Sequence, residues 1–309
     1  MDIAVIGSNM VDLITYINEM PKTGETLEAP SFEIGCGGKG ANQAVAAAKL
    51  GASVMMVSRV GDDLFADNTV KNLQHFGVDT QYVTAVAGVS SGVAPIFVDA
   101  SSQNRILIIK GANAHLSTQD IDAASESLKQ CKLLILQLEI PLETVYYAID
   151  FARRHHIPVI LNPAPASRDL DIGYACQCDF FMPNETELEI LTGMPVDTEA
   201  NILQAGRSLL AKGLKNLIIT MGHRGSVWMT GDQVHHVDPV SVHAIDTSGA
   251  GDAFIGCFAH HFVRNGEIKS AMEYASAFAA YSVTGKGTQR AYPDAAQFHQ
   301  FLASHSLAK

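Results

Sequence analysis

Short runs of apolar residues recur along the chain, and each is followed by an amphipathic stretch. The runs lack the alternation of apolar and polar residues that marks a strand with one wet face, so they are typical of parallel strands buried on both faces. They cover residues 3–7, 53–61, 133–139, 158–165, 178–184 and 216–222, with helical periodicity at 41–51, 66–77, 142–156, 184–193 and 202–213. This pattern predicts repeated strand–helix units, and therefore an α/β fold with a mostly parallel central sheet.

Two segments, residues 13–35 and 91–113, interrupt this pattern. Both are rich in β-formers, lack a helical period and contain a cluster of turn residues, so each predicts an antiparallel hairpin. We expect the two hairpins to pair into a small sheet that covers one edge of a single domain spanning residues 1–309. A lid over an active site is the functional interpretation, and a flap without function is the alternative.

Composition narrows the classes of function. The chain has 309 residues, 47% of them hydrophobic and 17% charged, which is enough to bury a large core and excludes wholesale disorder. Its 21 Lys and Arg against 32 Asp and Glu give a net charge of -11, which argues against nucleic acid as the main partner. A small anion is still possible, because helix N-termini bind anions locally.

The five cysteines are odd in number and irregularly spaced, so we expect free thiols rather than a disulfide framework. Cys176 and Cys178 form a single C-x-C without a second pair, which makes a zinc site improbable. No run approaches the length of about 18 apolar residues that a membrane span needs. The first residues include Asp2 and lack a basic segment, so we expect a cytoplasmic protein.

The first candidate site is the glycine-rich segment GCGGKGAN, residues 35–42. Its spacing matches G-x-G-x-x-G, and Asp62 lies near the place of a ribose-binding acid, so an NAD(P)-dependent oxidoreductase is one hypothesis. Against it, the preceding strand belongs to a hairpin, and Lys39 stands where a pyrophosphate would lie. The segment also departs from the P-loop pattern, because Gly40 replaces the Ser or Thr that binds magnesium.

The second candidate, DTSGAGDAFIGCF at residues 246–258, is more specific. Gly249, Ala250 and Gly251 predict a tight turn, and Asp252 is expected to begin an apolar helix. Backbone N–H groups at such a helix start form an anion hole. Asp252 is either an N-cap or a general base. An N-cap needs no small residues in front of it, so we favour catalysis.

Two further segments follow buried strands. In NETELEIL, residues 184–191, Asn184 predicts a helix cap and Glu187 its capping box. Acids at the carboxyl end of a strand also hold Mg²⁺ through water, which gives Glu187 a second interpretation. Glu139 ends another buried run, at the sheet edge where open α/β sheets bind ligands.

GCGGKGANQAVAAAKLGA and DTSGAGDAFIGCF, in this order, resemble the two signatures of the ribokinase-like (phosphofructokinase B) sugar kinases. NETE at 184–187 and TMGHRG at 220–225 fit that family's nucleotide region. The resemblance covers essentially the whole chain. It implies a three-layer α/β/α sandwich with a β-sheet lid. It also implies ATP with Mg²⁺ as phosphoryl donor, K⁺ as an activating cation, and transfer to the 5-hydroxyl of a sugar.

The resemblance also assigns roles to single residues. It implies Asp252 as the catalytic base, with an anion hole of Gly249, Ala250 and Gly251. The implied sugar contacts are Asp12, Gly38, Lys39, Gly40, Asn42, Glu139 and Asp252. The implied nucleotide contacts are Asn184, Thr220, Gly222, Gly225, Gly251 and Ser276. The implied potassium loop comprises Asp246, Ser248, Ser282, Gly285 and Gly287, and departs from the family at Ala291, where Ser is common.

Met10 bears on which sugar is used. Ribose-phosphorylating members often carry Asn two residues before the aspartate that corresponds to Asp12. A thioether is a weak acceptor, so Met10 removes a penalty of roughly 1–3 kcal/mol against a sugar without a 2-hydroxyl. The alternative is that Met10 only fills space. We therefore expect 2-deoxy-D-ribose as substrate, with D-ribose as the alternative.

Two further expectations concern a second copy of the chain and a function outside catalysis. Edge strands of the lid can pair with a second copy, which predicts a homodimer through the lid. A non-catalytic sugar sensor is the hypothesis outside enzymes, although no helix-turn-helix or basic output segment is evident.

Overall fold

The computed structural model describes residues 1–99 and 104–307. Within these ranges the strands are β1 (Ile3–Ile6), β2 (Met10–Tyr16), β3 (Ser31–Gly37), β4 (Val54–Val60), β5 (Asp79–Ala85), β6 (Gly92–Val98), β7 (Asn104–Ile106), β8 (Leu133–Leu136), β9 (Val159–Leu161), β10 (Phe180–Phe181), β11 (Leu217–Thr220), β12 (Ser226–Met229) and β13 (Val234–Val237). The helices are α1 (Lys39–Lys49), α2 (Ala66–His75), α3 (Thr118–Ala123), α4 (Ser125–Leu128), α5 (Leu142–Arg154), α6 (Ile172–Ala175), α7 (Glu185–Thr192), α8 (Glu199–Leu210), α9 (Ala250–Asn265), α10 (Ile268–Ser282) and α11 (Ala295–Ser304).

The larger sheet has the strand order β13-β12-β11-β10-β9-β8-β1-β4-β5. The strands from β11 to β5 pair in parallel, and the hairpin β12–β13 adds two antiparallel strands at one edge. The expected mostly parallel sheet is therefore confirmed. The sequence pattern did not predict β5, β12 or β13. The edge strands β5 and β13 mix polar and apolar residues, as suits partly exposed positions, and β12 is a short, largely buried strand of four residues beside β13.

Apolar cores cover both faces of this sheet. In β1, Ile3 and Val5 join the core formed with α1, α9, α10 and α11, while Ala4 and Ile6 join the opposite core. Successive side chains of a strand point to opposite faces, so a strand between two cores needs an apolar residue at every position. This explains the unbroken apolar runs, and it confirms the three-layer arrangement.

The small sheet has the order β3-β2-β6-β7. Each predicted hairpin is antiparallel, and a parallel pairing of β2 with β6 joins the two. The strands extend beyond the predicted first segment, since β2 begins at Met10 and β3 ends at Gly37. Residues 100–103, within the second predicted turn, lie outside the described residues.

Helix α1 packs closely on helix α9. A Cβ atom built on Gly256 would lie 2.5 Å from the Cβ of Ala46 and 2.6 Å from the carbonyl oxygen of Gln43. Only glycine permits this approach, because real Cβ atoms do not come so near to other atoms. The packing brings the N-terminal turns of the two helices together at the carboxyl edge of the large sheet.

The cysteines and the helix lengths bear on two expectations from the sequence. The five cysteines are free, and Cys176 and Cys178 belong to no metal-binding cluster among the described residues. Of the helices in residues 1–99 and 104–307, none has the length and hydropathy to cross a membrane.

Candidate active site

Polar side chains from several strands meet at the carboxyl edge of the large sheet, where open α/β sheets bind ligands. A cavity of about 140 Å³ opens there. Its lining includes eight residues singled out by sequence: Lys39, Asn184, Glu187, Thr220, Gly249, Ala250, Gly251 and Asp252. Five others complete the lining: Asn162, Ala164, Met182, Thr247 and Ile255. A larger cavity of about 310 Å³, beside β13, α10 and α11, contains none of the predicted site residues.

Helix α9 starts at this cavity, but not as the sequence predicted. The helix begins at Ala250, after Gly249 in a left-handed conformation with φ 73°, and Asp252 is its third residue. Asp252 is therefore not the N-cap, and the expected three-residue turn is a single glycine followed by helix. No side chain caps this helix start. The N–H of Ala250 donates to the Thr247 carbonyl, and the N–H groups of Gly251 and Asp252 are left for an anion in the cavity.

Asp252 is 6% exposed, and both of its carboxylate oxygens accept hydrogen bonds. The Asn42 side-chain amide donates to Oδ2 at 3.0 Å, and the Gln43 side-chain amide donates to Oδ1 at 2.8 Å. Sequence reasoning placed Asn42 among the sugar contacts and missed Gln43. The structure places both side chains against the carboxylate of Asp252.

Glu139 lies on the other side of the glycine-rich segment. Its Oε2 accepts hydrogen bonds from the Ser8 hydroxyl and from the backbone N–H of Lys39. Burial lowers the pKa of the Lys39 ammonium, but the negative charges of Asp252, Glu139 and Glu187 outweigh it, so the net pKa is raised. Lys39 is thus a firmly protonated cation among three carboxylates.

Asp12 projects from β2 toward the turn before α1. A Cβ on Gly37 would lie 2.3 Å from its Oδ1, so glycine is needed there to admit the carboxylate. Burial, together with the nearby charges of Glu139 and Asp252, raises the pKa of Asp12 to about 7. Met10 is 1% exposed and pairs with Gly37 across the small sheet, two residues from Asp12 and on the same face.

The glycines of the first motif make room for the protein's own backbone. A Cβ on Gly38, whose φ is 89°, would meet the Met10 nitrogen at 2.9 Å, and one on Gly40 would meet the Ser8 nitrogen at 2.7 Å. Asp62, the acid required by the dinucleotide hypothesis, accepts the backbone N–H of Gly88 instead. The motif therefore has a packing explanation that requires no dinucleotide.

The predicted nucleotide region lies along the same edge. Asn184 caps α7, and both oxygens of Glu187 accept hydrogen bonds from Asn184, which confirms the capping box. Burial raises the pKa of Glu187. Thr220 forms a bridge with Asn184, and Gly222 and Gly225 belong to the turn that follows.

Ser276, another predicted nucleotide contact, lies on α10 and is 9% exposed. It is outside the lining of the cavity around Asp252.

The predicted potassium loop brings two chain segments side by side. The carboxylate of Asp246 accepts the backbone N–H of Ser248 at one oxygen and that of Gly287 at the other, both at 2.9 Å. Gly285 lies against Ala291, since a Cβ on it would be 3.2 Å from the Ala291 Cβ. The Ser282 hydroxyl bonds within its own helix, to the carbonyl of Ala279.

Sequence reasoning missed five polar residues of this region. They are Ser8, Gln43, Gln137, Asn162 and Gln289. A signal exists for Gln137 and Asn162, because both follow buried parallel strands and the carboxyl ends of such strands meet at one edge. A glutamine in an alanine-rich helix, such as Gln43, gives no comparable signal.

A profile of the pfkB family of carbohydrate kinases matches residues 1–295. The chain is 66% identical over 303 residues to the deoxyribokinase of Salmonella typhi, across 98% of this chain and 99% of that protein. It is 37% identical over 295 residues to the ribokinase of Mus musculus, across 94% and 91%. The structure of Arabidopsis thaliana ribokinase complexed with ribose and ATP matches with a TM-score of 0.89 at 30% identity, across 97% and 98%.

Asp12 makes protein stability depend on pH. Its pKa of about 7 in the folded protein exceeds the ordinary value of 3.8 for an aspartate, so between these values the folded chain holds a proton that the unfolded chain has released. Stability is therefore lost as pH rises toward 7. Asp12→Asn removes this dependence, and its free energy of unfolding relative to wild type should rise by about 2–3 kcal/mol from about pH 5 to about pH 8.

Urea unfolding at both pH values measures the effect. Asp232→Asn, at an exposed position between β12 and β13, is the matched control and should show no such change. A difference between Asp12→Asn and wild type that does not vary with pH contradicts the raised pKa.

Proposed function

The chain belongs to the pfkB family of carbohydrate kinases, and from this premise we propose that it transfers the γ-phosphoryl group of ATP to the 5-hydroxyl of a pentose. The preferred pentose is 2-deoxy-D-ribose, and D-ribose is the second candidate. The observation that carries the proposal is the buried carboxylate of Asp252 in the first turn of an uncapped helix at the cavity.

Asp252 acts as the general base. Its carboxylate takes the proton of the 5-hydroxyl while the sugar oxygen forms a bond to the γ-phosphorus. The bond from this phosphorus to the β–γ bridging oxygen breaks, and ADP leaves with that electron pair. The amides of Gly249 and Gly251, on either side of Ala250, stabilise charge on the moving phosphoryl group, and most of the rate comes from positioning and electrostatics.

The nucleotide lies between the α9 start and the strand ends of β10 and β11. Asn184, Thr220 and the turn that contains Gly222 and Gly225 contact it. Ser276 is a further proposed contact, although it lies outside the cavity lining.

Glu187 fits a magnesium site. The residue is 9% exposed and lines the cavity. Burial raises the pKa of its carboxyl group, and a cation bound nearby would lower that pKa again. Glu187 would hold Mg²⁺ through water. Bound there, the ion would supply positive charge to the phosphate oxygens.

The sugar lies between the small sheet, which acts as a lid, and the α1 start. Asp12, Glu139 and the remaining N–H of Asn42 bind its hydroxyl groups, and the segment Gly38–Gly40 forms the floor. Met10 faces C2, where a sugar without a 2-hydroxyl leaves no polar group unpaired. The relative from Salmonella typhi, named deoxyribokinase, supports the same choice of sugar.

The loop around Asp246 is proposed to bind K⁺. The amides of Ser248 and Gly287 occupy the two oxygens of Asp246. The carboxylate therefore holds the two segments together, and backbone carbonyls supply most ligands to the ion. Because backbone carbonyls would supply most ligands, the site would bind K⁺ even though Ala291 has no hydroxyl group.

The small sheet supports a homodimer. It exposes the apolar side chains of Phe32 and Ile34 on β3 and of Ile106 on β7, the two edge strands, together with Leu107. Burying them against a second copy would remove apolar surface from water. Sedimentation over a range of concentrations tests this, and a monomer throughout contradicts it.

The structure gives less support to an oxidoreductase or to a sugar sensor. A dinucleotide-dependent oxidoreductase loses its ribose-binding acid, because Asp62 is engaged with Gly88. A non-catalytic sugar sensor gives no reason for a buried carboxylate with two donors at an uncapped helix start.

Asp252→Asn tests the base. It should lower turnover by about 10²–10⁴-fold, because the amide cannot accept the proton. Stability should also fall by about 1–3 kcal/mol, since one new N–H group faces the N–H of Asn42 or Gln43. ADP release in a coupled assay measures turnover with 2-deoxyribose, ribose and fructose side by side. Near-normal turnover with the best sugar rules out Asp252 as base.

Met10→Asn tests the sugar. It restores a donor and an acceptor that ribose pairs with its 2-hydroxyl and 2-deoxyribose does not. The ribose to deoxyribose ratio of kcat/KM should then rise roughly tenfold, or about 1.4 kcal/mol of differential binding. If wild type rejects 2-deoxyribose, or if the ratio does not move, Met10 only fills space.

The cation loop is tested by exchange of salts. Activity should rise when K⁺ replaces tetramethylammonium at equal ionic strength, because the organic cation is too large for carbonyl ligation. The same rates in both salts contradict a potassium site at this loop.

A further inference from the structure

A chain of buried carboxamides lies behind Asp252. Its members are Gln137, Gln43, Asn162, Asn42 and Gln289. Gln43 is at the centre and is fully buried, with 0% exposure. Its Nε2 donates to Asp252 Oδ1 at 2.8 Å and to Asn162 Oδ1 at 3.2 Å, and its Oε1 accepts from Gln137 Nε2 at 2.7 Å.

The neighbours of Gln43 and Asn162 fix the orientations of these two amides. An ionised carboxylate only accepts hydrogen bonds, so Gln43 must present Nε2 to Asp252 and Oε1 to Gln137. Asn162 turns its oxygen to Gln43, because its own Nδ2 donates to the Met182 carbonyl at 2.9 Å. The directions of the hydrogen bonds from Gln43 and Asn162 are thus set between the carboxylate of Asp252 and the backbone carbonyl of Met182.

We propose that Gln43 is a positioning residue for Asp252, supported from behind by Gln137. Gln43 holds Oδ1 in place, because its Nε2 donates to that oxygen from a side chain that is itself fixed by other hydrogen bonds. The second donor, from Asn42 to Oδ2, prevents rotation of the group. The inference rests on the proposed role of Asp252 as base, and it adds how the base is held ready.

Gln43 has no capacity left for substrate. Both of its N–H bonds are committed, and the side chain does not line the cavity. Asn42 differs, since its Oδ1 accepts from Gln289 and its Nδ2 donates only once within the described residues. Loss of Gln43 should therefore act on the chemical step and not on substrate binding.

The end of strand β1 makes room for this support. A Cβ atom on Gly7 would lie 2.0 Å from Oε1 of Gln137. The glycine that ends the first apolar run thus admits the side chain that holds Gln43.

The test compares two substitutions that remove the donor in different ways. Gln43→Met keeps the length of the side chain but donates nothing, and Gln43→Glu keeps its shape but sets an acceptor against Asp252. We expect kcat to fall about 10- to 100-fold in Gln43→Met, and further in Gln43→Glu, which adds a like charge. KM for ATP and for the best sugar should stay within about twofold of wild type.

Thr144→Val is the matched control. Its buried hydroxyl donates to the Leu116 carbonyl at 2.7 Å on the far side of the sheet, in α5. It should lower Tm without a change in kcat. If Gln43→Met lowers Tm in the same way and leaves kcat unchanged, Gln43 is only structural and the proposal is overturned. An equal rise in both KM values overturns it as well.

Two further outcomes can be distinguished from failure of this proposal: a Gln43→Met variant that does not fold, and an Asp252→Asn variant with normal turnover. If Gln43→Met does not fold, Gln137→Met removes the support one step further away and should lower kcat by about 3- to 10-fold with KM unchanged; an unchanged kcat there overturns the proposal. Normal turnover of Asp252→Asn would instead overturn the base itself, and that result does not depend on Gln43.

Discussion

The close contact between helices α1 and α9 is the constraint on which the rest of the site depends. Gly256 meets Ala46 with no side chain between the helices. Residues four apart lie on the same face of a helix, one turn along. Asp252 is one turn before Gly256, and Asn42 is one turn before Ala46. The close contact of Gly256 with Ala46 therefore brings Asp252 within hydrogen-bonding distance of α1, one turn earlier in each helix. A larger residue at Gly256 would separate the carboxylate of Asp252 from Asn42 and Gln43.

Charge is the second organising feature. Asp12, Glu139, Glu187 and Asp252 lie in one region, and Lys39 is the cation that responds to three of them. Burial raises the pKa of both Asp12 and Glu187, and the charge of Asp252 adds to each shift. Hydrogen bonds from Ser8 to Glu139, and from Asn42 and Gln43 to Asp252, hold these two carboxylates in place.

Much of the fold could be predicted from sequence, because strands such as β1, β4 and β8 are buried on both faces and leave unbroken apolar runs. The capping box of α7 was predicted for the same kind of local reason. The start of α9 was misplaced because Gly249 and Gly251 both suit a helix boundary, and only the backbone conformation distinguishes them. The buried amides were missed because a polar residue in a short window normally indicates exposure, and their partners are distant in sequence.

The small sheet carries Met10 and Asp12, whereas the network around Asp252 is built from α1, α9 and the strand ends of the large sheet. Apart from the glycine turn before α1, the two groups share little structure. Under the proposed function, a substitution at position 10 would therefore change which sugar fits without disturbing Asp252. Such separation makes the fold evolvable, since new substrate preferences can arise by single steps on the small sheet while the machinery for phosphoryl transfer is inherited intact.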